Sequence, residues 1–223
     1  MRKFTVSAII TFSVIFSYAI KPVDSNIQDV IHLLNAHGYM LKSFDISELA
    51  DTTHQIQIHI KECFGDSCVA FKGNFPIIIP SRRMISDFAE ENRTPNLYER
   101  AENIENGIYT STKKLNLGFY KSPTDSVTTL SIDIPHNIAF SISLPLKRIV
   151  WPQYPEGTYK YGYMDYDTDS VKNGKFIPLG LYGSFWYDEE YNTIRFCGDT
   201  IKNENNTILK LSPHYYIIGI IVD

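Results

Sequence analysis

The sequence predicts an α+β fold, predominantly antiparallel β-sheet in a meander or sandwich-like arrangement, with about three helices in the N-terminal half. Three observations lead there. Apolar stripes with a helical period occur only before Gly107, alternation with a period of two recurs through the rest of the chain, and no strand–helix–strand rhythm is present.

The first helix is expected to begin at Ser25, where Ser25 and Gln28 form an S-x-x-Q capping box. Ile27, Val30, Ile31 and Leu34 make one apolar stripe, and Gly38 suits the left-handed position after the last turn. A second helix is expected from about Ser81 to Glu91, with Ile85, Phe88 and Ala89 inward. A third would start at Pro95 and run through Leu97, Tyr98, Ala101 and Ile104 to stop near Gly107.

Strands are read from alternation. Ile56, Ile58 and Ile60 share a face, as do Leu115, Leu117 and Phe119, then Leu130, Ile132 and Ile134, then Ile138, Phe140, Ile142 and Leu144. The turns between the last three runs, at Lys121–Asp125 and Pro135–Asn137, make them a meander. Further strands are expected at 158–166, 175–187, 191–197, 207–211 and 215–222.

The N-terminus reads as an export signal. Arg2 and Lys3 precede an uncharged run from Phe4 to Ile20, and Ser17 and Ala19 place small residues before a cut. Residues 1–19 are therefore expected to be a signal peptide and residues 20–223 a single secreted or periplasmic domain. Losing Arg2 and Lys3 takes the formal charge from −4 to −6. An acidic domain without a basic cluster is a poor fit to nucleic acid. Ile217–Val222 is too short to cross a bilayer, so no integral membrane protein is expected after cleavage.

Cys63, Cys68 and Cys197 all follow the signal. Cys63 and Cys68 flank Phe-Gly-Asp-Ser, read as a four-residue hairpin loop, and are expected to form a disulfide. Cys197 is then a free thiol.

Several motifs invite chemical readings. Phe64-Gly-Asp-Ser67 resembles the nucleophile block of GDSL-type esterases, and Asp133-Ile-Pro-His136 resembles their D-x-x-H block. That resemblance implies a parallel α/β sheet with its acid and histidine near the C-terminus. No G-x-N-D block accompanies it, and the D-x-x-H segment lies on a turn between strands, so a hairpin pinned by cysteines is the adopted reading. Asp165, Asp167 and Asp169 place oxygen ligands at alternate positions, as at the start of a calcium loop. Ser170 stands where such a loop needs glycine and Phe176 where it needs glutamate, so Ca2+ is the weaker reading and a solvated turn the stronger. The histidine pairs His32/His37 and His54/His59 are both five apart, a spacing that does not gather metal ligands.

Aromatic content is the strongest functional signal. Trp151, Tyr154, Tyr159, Tyr161, Tyr163, Tyr166, Tyr182, Trp186, Tyr187 and Tyr191 are crowded together, and Tyr159, Tyr161 and Tyr163 share a strand face continued by Asp165. Tyrosine suits interfaces because its ring is apolar and its tip wet. Trp151, Tyr159, Tyr161, Tyr163, Trp186 and Tyr187 are accordingly the expected ligand-binding residues of a non-catalytic module that takes a glycan or a protein partner. Two alternatives stand beside it. One is a secreted hydrolase using carboxylate pairs in the 165–190 region, for example among Asp188, Glu189 and Glu190. The other is a structural or inhibitor-like envelope protein.

Overall fold

The computed structural model describes residues 27–50, 55–73, 76–121, 126–167, 174–196, 200–201 and 207–223. The expected signal peptide, the Ser25 cap, His54, Asp169 and Cys197 lie outside the described residues.

In chain order the elements are α1 (Ile27–Ala36), β1 (Tyr39–Asp45), α2 (Ser47–Ala50), β2 (Gln55–Phe64), β3 (Ser67–Ala70), β4 (Ile77–Pro80), β5 (Arg82–Met84), α3 (Pro95–Glu99), β6 (Ile108–Ser111), β7 (Lys114–Lys121), β8 (Val127–Ile134) and β9 (Ile138–Pro145). They continue with β10 (Ile149–Trp151), β11 (Tyr154–Thr158), β12 (Tyr161–Asp165), β13 (Ile177–Ser184), β14 (Trp186–Asp188), β15 (Thr193–Arg195), α4 (Thr207–Leu211) and β16 (Tyr215–Val222).

Two antiparallel sheets face each other. The first has the order β1-β7-β8-β9, and the second β12-β13-β16-β2-β3, with β4 pairing the opposite end of β2. Leu115, Leu117, Leu130 and Ile132 from the first sheet share one core with Ile56, Ile58, Tyr182, Tyr216 and Ile218 from the second. The meander read from alternation is β7-β8-β9, with Leu130 opposite both Phe119 and Ile142. Of the expected inward set on β9 only Leu144 is buried, and Ile138 is exposed, because β9 is an edge strand.

The second sheet is buried on both faces along its central strands β13 and β16, while its edge strand β3 is exposed. The outer side of the sheet carries Cys63, Met164, Leu181, Leu209, Tyr215 and Ile217 as a separate cluster. A strand covered on both sides has no polar face to show, which is why Tyr-Tyr-Ile-Ile-Gly-Ile-Ile-Val forms β16.

The helices depart from expectation. α1 is present, and Gly38 at φ +82° ends it as foreseen. Its stripe of Ile27, Val30, Ile31 and Leu34 is nevertheless exposed and does not enter the core. The expected helix at 81–91 is replaced by β5, paired with β6, and two short 3-10 turns. There the Asp87 carboxylate accepts the Met84 N–H at 2.7 Å, and the Arg93 guanidinium donates to the carbonyls of Ser86 and Phe88. Those local bonds take over groups that a helix would have used. The third helix opens with Pro95 after Thr94 as expected but ends after five residues. Residues 207–211, expected as a strand, form α4, which lays Leu209 on the outer face of the second sheet.

The Cys63–Cys68 disulfide is present, with Cα atoms 4.1 Å apart. The strands run closer to the turn than expected: Phe64 already faces Ser67, so the loop is two residues, Gly65-Asp66. Gly65 at φ +55° supplies the left-handed conformation that such a tight hairpin needs.

Candidate functional site

The two sheets leave an opening where β1, the edge of the first, approaches β12, the edge of the second. The cleft there has a volume of about 1260 Å³. Met40 and Lys42 of β1, Phe119 of β7, Tyr161, Tyr163 and Asp165 of β12, and Tyr182 of β13 line its inner part. A shallower hollow of about 530 Å³ near Pro80, Arg82 and Met84 has less than half that volume and contains no aromatic ring.

Alternation on β12 aims Tyr161, Tyr163 and Asp165 at one side, as the sequence pattern implies. Phe119 stacks on Tyr182 at 4.9 Å between centroids, Tyr161 stacks on the same tyrosine at 5.8 Å, and Tyr163 tilts against Phe119 at 5.3 Å. The four rings form a continuous wall. Gly180 is what lets Tyr163 lie flat on β13: any Cβ there would collide with the phenol, whose hydroxyl donates to the Leu179 carbonyl at 3.3 Å. Burial pushes the Tyr161 and Tyr163 phenols well above the ordinary tyrosine range, so both stay protonated.

Across the mouth, Lys42 Nζ donates to Asp165 Oδ2 at 2.8 Å and lies 5.1 Å from the centre of the Tyr163 ring. This half-exposed pair ties the two edge strands together. The residues of the calcium reading have these surroundings. Asp165 is engaged by Lys42, exposed Asp167 donates its backbone N–H to the Ile201 carbonyl, and Asp169 lies outside the described residues. Among the described residues no group of three histidine, cysteine or acidic side chains could hold a metal ion.

A buried relay that sequence reading missed fixes the far end of the wall. His214 is 1% exposed, with Nε2 3.1 Å from Glu62 Oε1 and Nδ1 2.6 Å from the Tyr161 hydroxyl. The same hydroxyl accepts the Lys147 N–H at 2.9 Å. Tyr216 donates to the Pro145 carbonyl at 2.5 Å and lies 3.4 Å from Glu62. Burial holds the His214 pKa below the usual histidine value, so the neutral ring donates from Nε2 to Glu62 and accepts from Tyr161 at Nδ1. A carboxylate, imidazole and hydroxyl in line have the makings of a nucleophile relay. Here the hydroxyl is a phenol whose ionisation burial disfavours, and the bonds to His214 and Lys147 hold its ring at the end of the wall.

The other expected site residues lie apart from the cleft. Tyr159 is half-buried and packs against the central core. Trp151, 8% exposed, meets Tyr154 edge-on in the β10–β11 hairpin, and Tyr154 in turn meets Tyr187. Trp186, 6% exposed, packs on Phe196. The six residues therefore do not form one outward surface: Tyr161 and Tyr163 border the cleft, Tyr163 being as buried at 7% exposed as the two tryptophans, which sit in small hairpins away from it. Asp188 pairs with Arg195 at 3.0 Å and accepts the Tyr191 N–H, leaving Glu189 and Glu190 as an exposed turn. Ser67 and His136, the two ends of the esterase resemblance, sit on different sheets, Ser67 at the start of β3 and His136 in the β8–β9 turn.

Among the described residues no helix is long and apolar enough to cross a membrane. No curated protein and no solved structure matches the chain. A family model described as a domain of unknown function (DUF5041) matches residues 10–223, and the chain belongs to that family.

Proposed function

We propose that the chain is an exported, non-catalytic binding module of the cell envelope or exterior, and that its ligand site is the cleft between β1 and β12. The observation that carries this reading is the ring wall of Phe119, Tyr161, Tyr163 and Tyr182 beside a cleft of about 1260 Å³, large enough for a glycan or a protein segment. Preorganisation supports it further. The rings are held by stacking, by Gly180 and by the His214 relay, so little side-chain freedom is lost on binding. At the ring wall itself the charged groups are Lys42 and Asp165, which neutralise each other beside phenols that stay protonated, and this favours binding over chemistry there. Export rests on Arg2-Lys3, the apolar run and Ser17-x-Ala19.

The test is a paired screen of the mature protein against a glycan array and a displayed peptide library. Met40→Arg, which fills the mouth from a half-buried position, should reduce binding of the hits at least about tenfold, or 1.4 kcal/mol, while far-UV circular dichroism shows the chain still folded despite the lost core contact. Hits indifferent to Met40→Arg would place the site elsewhere. A mature N-terminus at Met1 instead of Ile20, read by mass spectrometry, would remove the export half.

A further inference from the structure

The free edge of β1 narrows what the cleft accepts. Among the described residues β1 pairs on one side only, with β7, in a continuous register from Tyr39 opposite Tyr120 to Asp45 opposite Lys114. In an antiparallel ladder successive residues turn their N–H and C=O alternately toward and away from the neighbour. The Gly38 carbonyl accepts from Lys121 and the Ile46 N–H donates to Lys113, which fixes the even-numbered residues as those facing β7. Tyr39, Leu41 and Ser43 therefore turn their backbone groups away from the sheet.

The cleft runs along this edge. It is lined by Met40 and Lys42 from the inner face of β1 and by Tyr39 and Leu41 from its outer face. One cavity reaches both faces of a strand by passing round its free side. Little protects this stretch: the register has no bulge, the sequence Tyr-Met-Leu-Lys-Ser-Phe-Asp has no proline, Leu41 is 68% exposed, and its one inward charge, Lys42, is already neutralised by Asp165. The facing edge, β12, is partly closed, since the Asp165 carbonyl accepts the Ile201 N–H. The far edge of the first sheet, β9, ends on Pro145 and borders no comparable cleft among the described residues.

We infer that the cleft binds an extended peptide segment of another protein by adding it as a strand to the free edge of β1, at Tyr39, Leu41 and Ser43. The inference rests on the cleft being the ligand site and narrows its ligand to a polypeptide. A row of alternating donors and acceptors recurring every two residues, about 6.8 Å, matches extended backbone and no sugar chain. The bound strand would point alternate side chains inward to the Tyr161 wall and outward to Leu41, Ile31 and Leu34, so the partner carries apolar residues on both faces. This also gives the exposed apolar stripe of α1 a role as the outer wall.

The experiment selects binders from a random octapeptide library displayed on phage and then works with the best synthetic peptide and the whole mature protein. The peptide should slow hydrogen exchange at the Leu41 and Ser43 amides at least tenfold. N-methylation at alternate peptide residues should weaken binding at least tenfold, and at the intervening residues little. Leu41→Pro, which removes an N–H not used by β7, should lose binding in proportion to the N-methyl effect. Should that variant misfold, the exchange and N-methyl measurements on the wild-type chain still decide the matter. Peptides that bind without protecting Leu41 and Ser43 would overturn strand addition and leave the cleft reading intact. A glycan hit sensitive to Met40→Arg, with no peptide hit, would do the same. A dimer of the chain dispersed by Leu41→Pro would make a second copy the occupant and overturn the partner-peptide inference. No binding to either probe would overturn both readings.

Discussion

The two sheets use the same antiparallel pairing and bury it differently. The first alternates strictly: β7 and β8 turn leucine and isoleucine inward and Asn116, Ser131 and Asp133 outward, where Asn116 bonds both Ser43 and Asp133. The second sheet has an inner face in the shared core and an outer face covered by its own cluster. One sheet is a wall with a wet side, and the other is an interior layer. The difference teaches where substitutions are tolerated and where side chains are held firmly enough to build a site. The rigid ring wall grows from the interior layer, while the first sheet contributes the open edge.

The largest effect separates the two outward faces. Leu181, fully buried on the outer side of the second sheet, should not accept a charge, and Leu181→Lys is expected to cost about 4 kcal/mol or more in urea denaturation. Ser143→Lys, on the exposed side of β9, should stay within about 0.5 kcal/mol. Equal costs would break the comparison.

A middle effect concerns the disulfide, which belongs to the second sheet alone. Replacing Cys63 and Cys68 together by alanine should cost about 2 kcal/mol, since the ring is small, and the chain should still fold. Hydrogen exchange should quicken in β3 and stay unchanged in β8. Quickening in both sheets would mean they open as one unit.

The smallest effect is on pH. Burial lowers the pKa of His214 in the fold, so the unfolded chain takes up the proton first, near the ordinary histidine value of about 6.5. This contribution to stability is complete above that value and is lost as pH falls below it toward the folded pKa. Glu62, Tyr161, Tyr216 and Lys147 surround the ring. Urea midpoints at pH 7.5 and 5.0 should differ less in His214→Gln than in the wild type, whatever the variant costs at neutral pH. An unchanged slope would assign the pH dependence to another group, His59 first, whose pKa burial also lowers.

Legibility in the sequence follows the same division. The first sheet could be read because one face is dry and the other wet, so Leu115-Asn-Leu-Gly-Phe119 shows its geometry directly. The disulfide was readable because its partners are five residues apart. β1 was not, because its inner face is only half-buried and both faces mix apolar with polar side chains: Tyr39 and Leu41 lie outward with Ser43, and Met40 and Phe44 inward with Lys42. The 81–91 segment carries a plausible helical stripe, yet the bonds made by Asp87 and Arg93 redirect it. Of the expected binding residues, Tyr161 and Tyr163 reach the cleft because they alternate on one strand. Trp151 and Trp186 were grouped with them by closeness in sequence, which says little about which hairpin a ring closes. The relay was beyond reach: His214 meets Glu62 across 152 positions and Tyr161 across 53, separations that only the completed sheet brings together.

β16 has a consequence for how the molecule comes into being. It sits between β2 and β13, two strands that do not pair with each other, and it is the latest of the strands along the chain. During synthesis β7, β8 and β9 emerge in succession and can zip together as neighbours. β2 emerges long before its main partner and must wait, with one edge open, until Tyr215–Val222 arrives. The loop closed by that pairing spans most of the chain, so its entropy is lost only when the last contacts can repay it. The second sheet, the ring wall and the His214 relay should therefore form together in a single late step, giving a chain that has either both its interior layer and its cleft or neither.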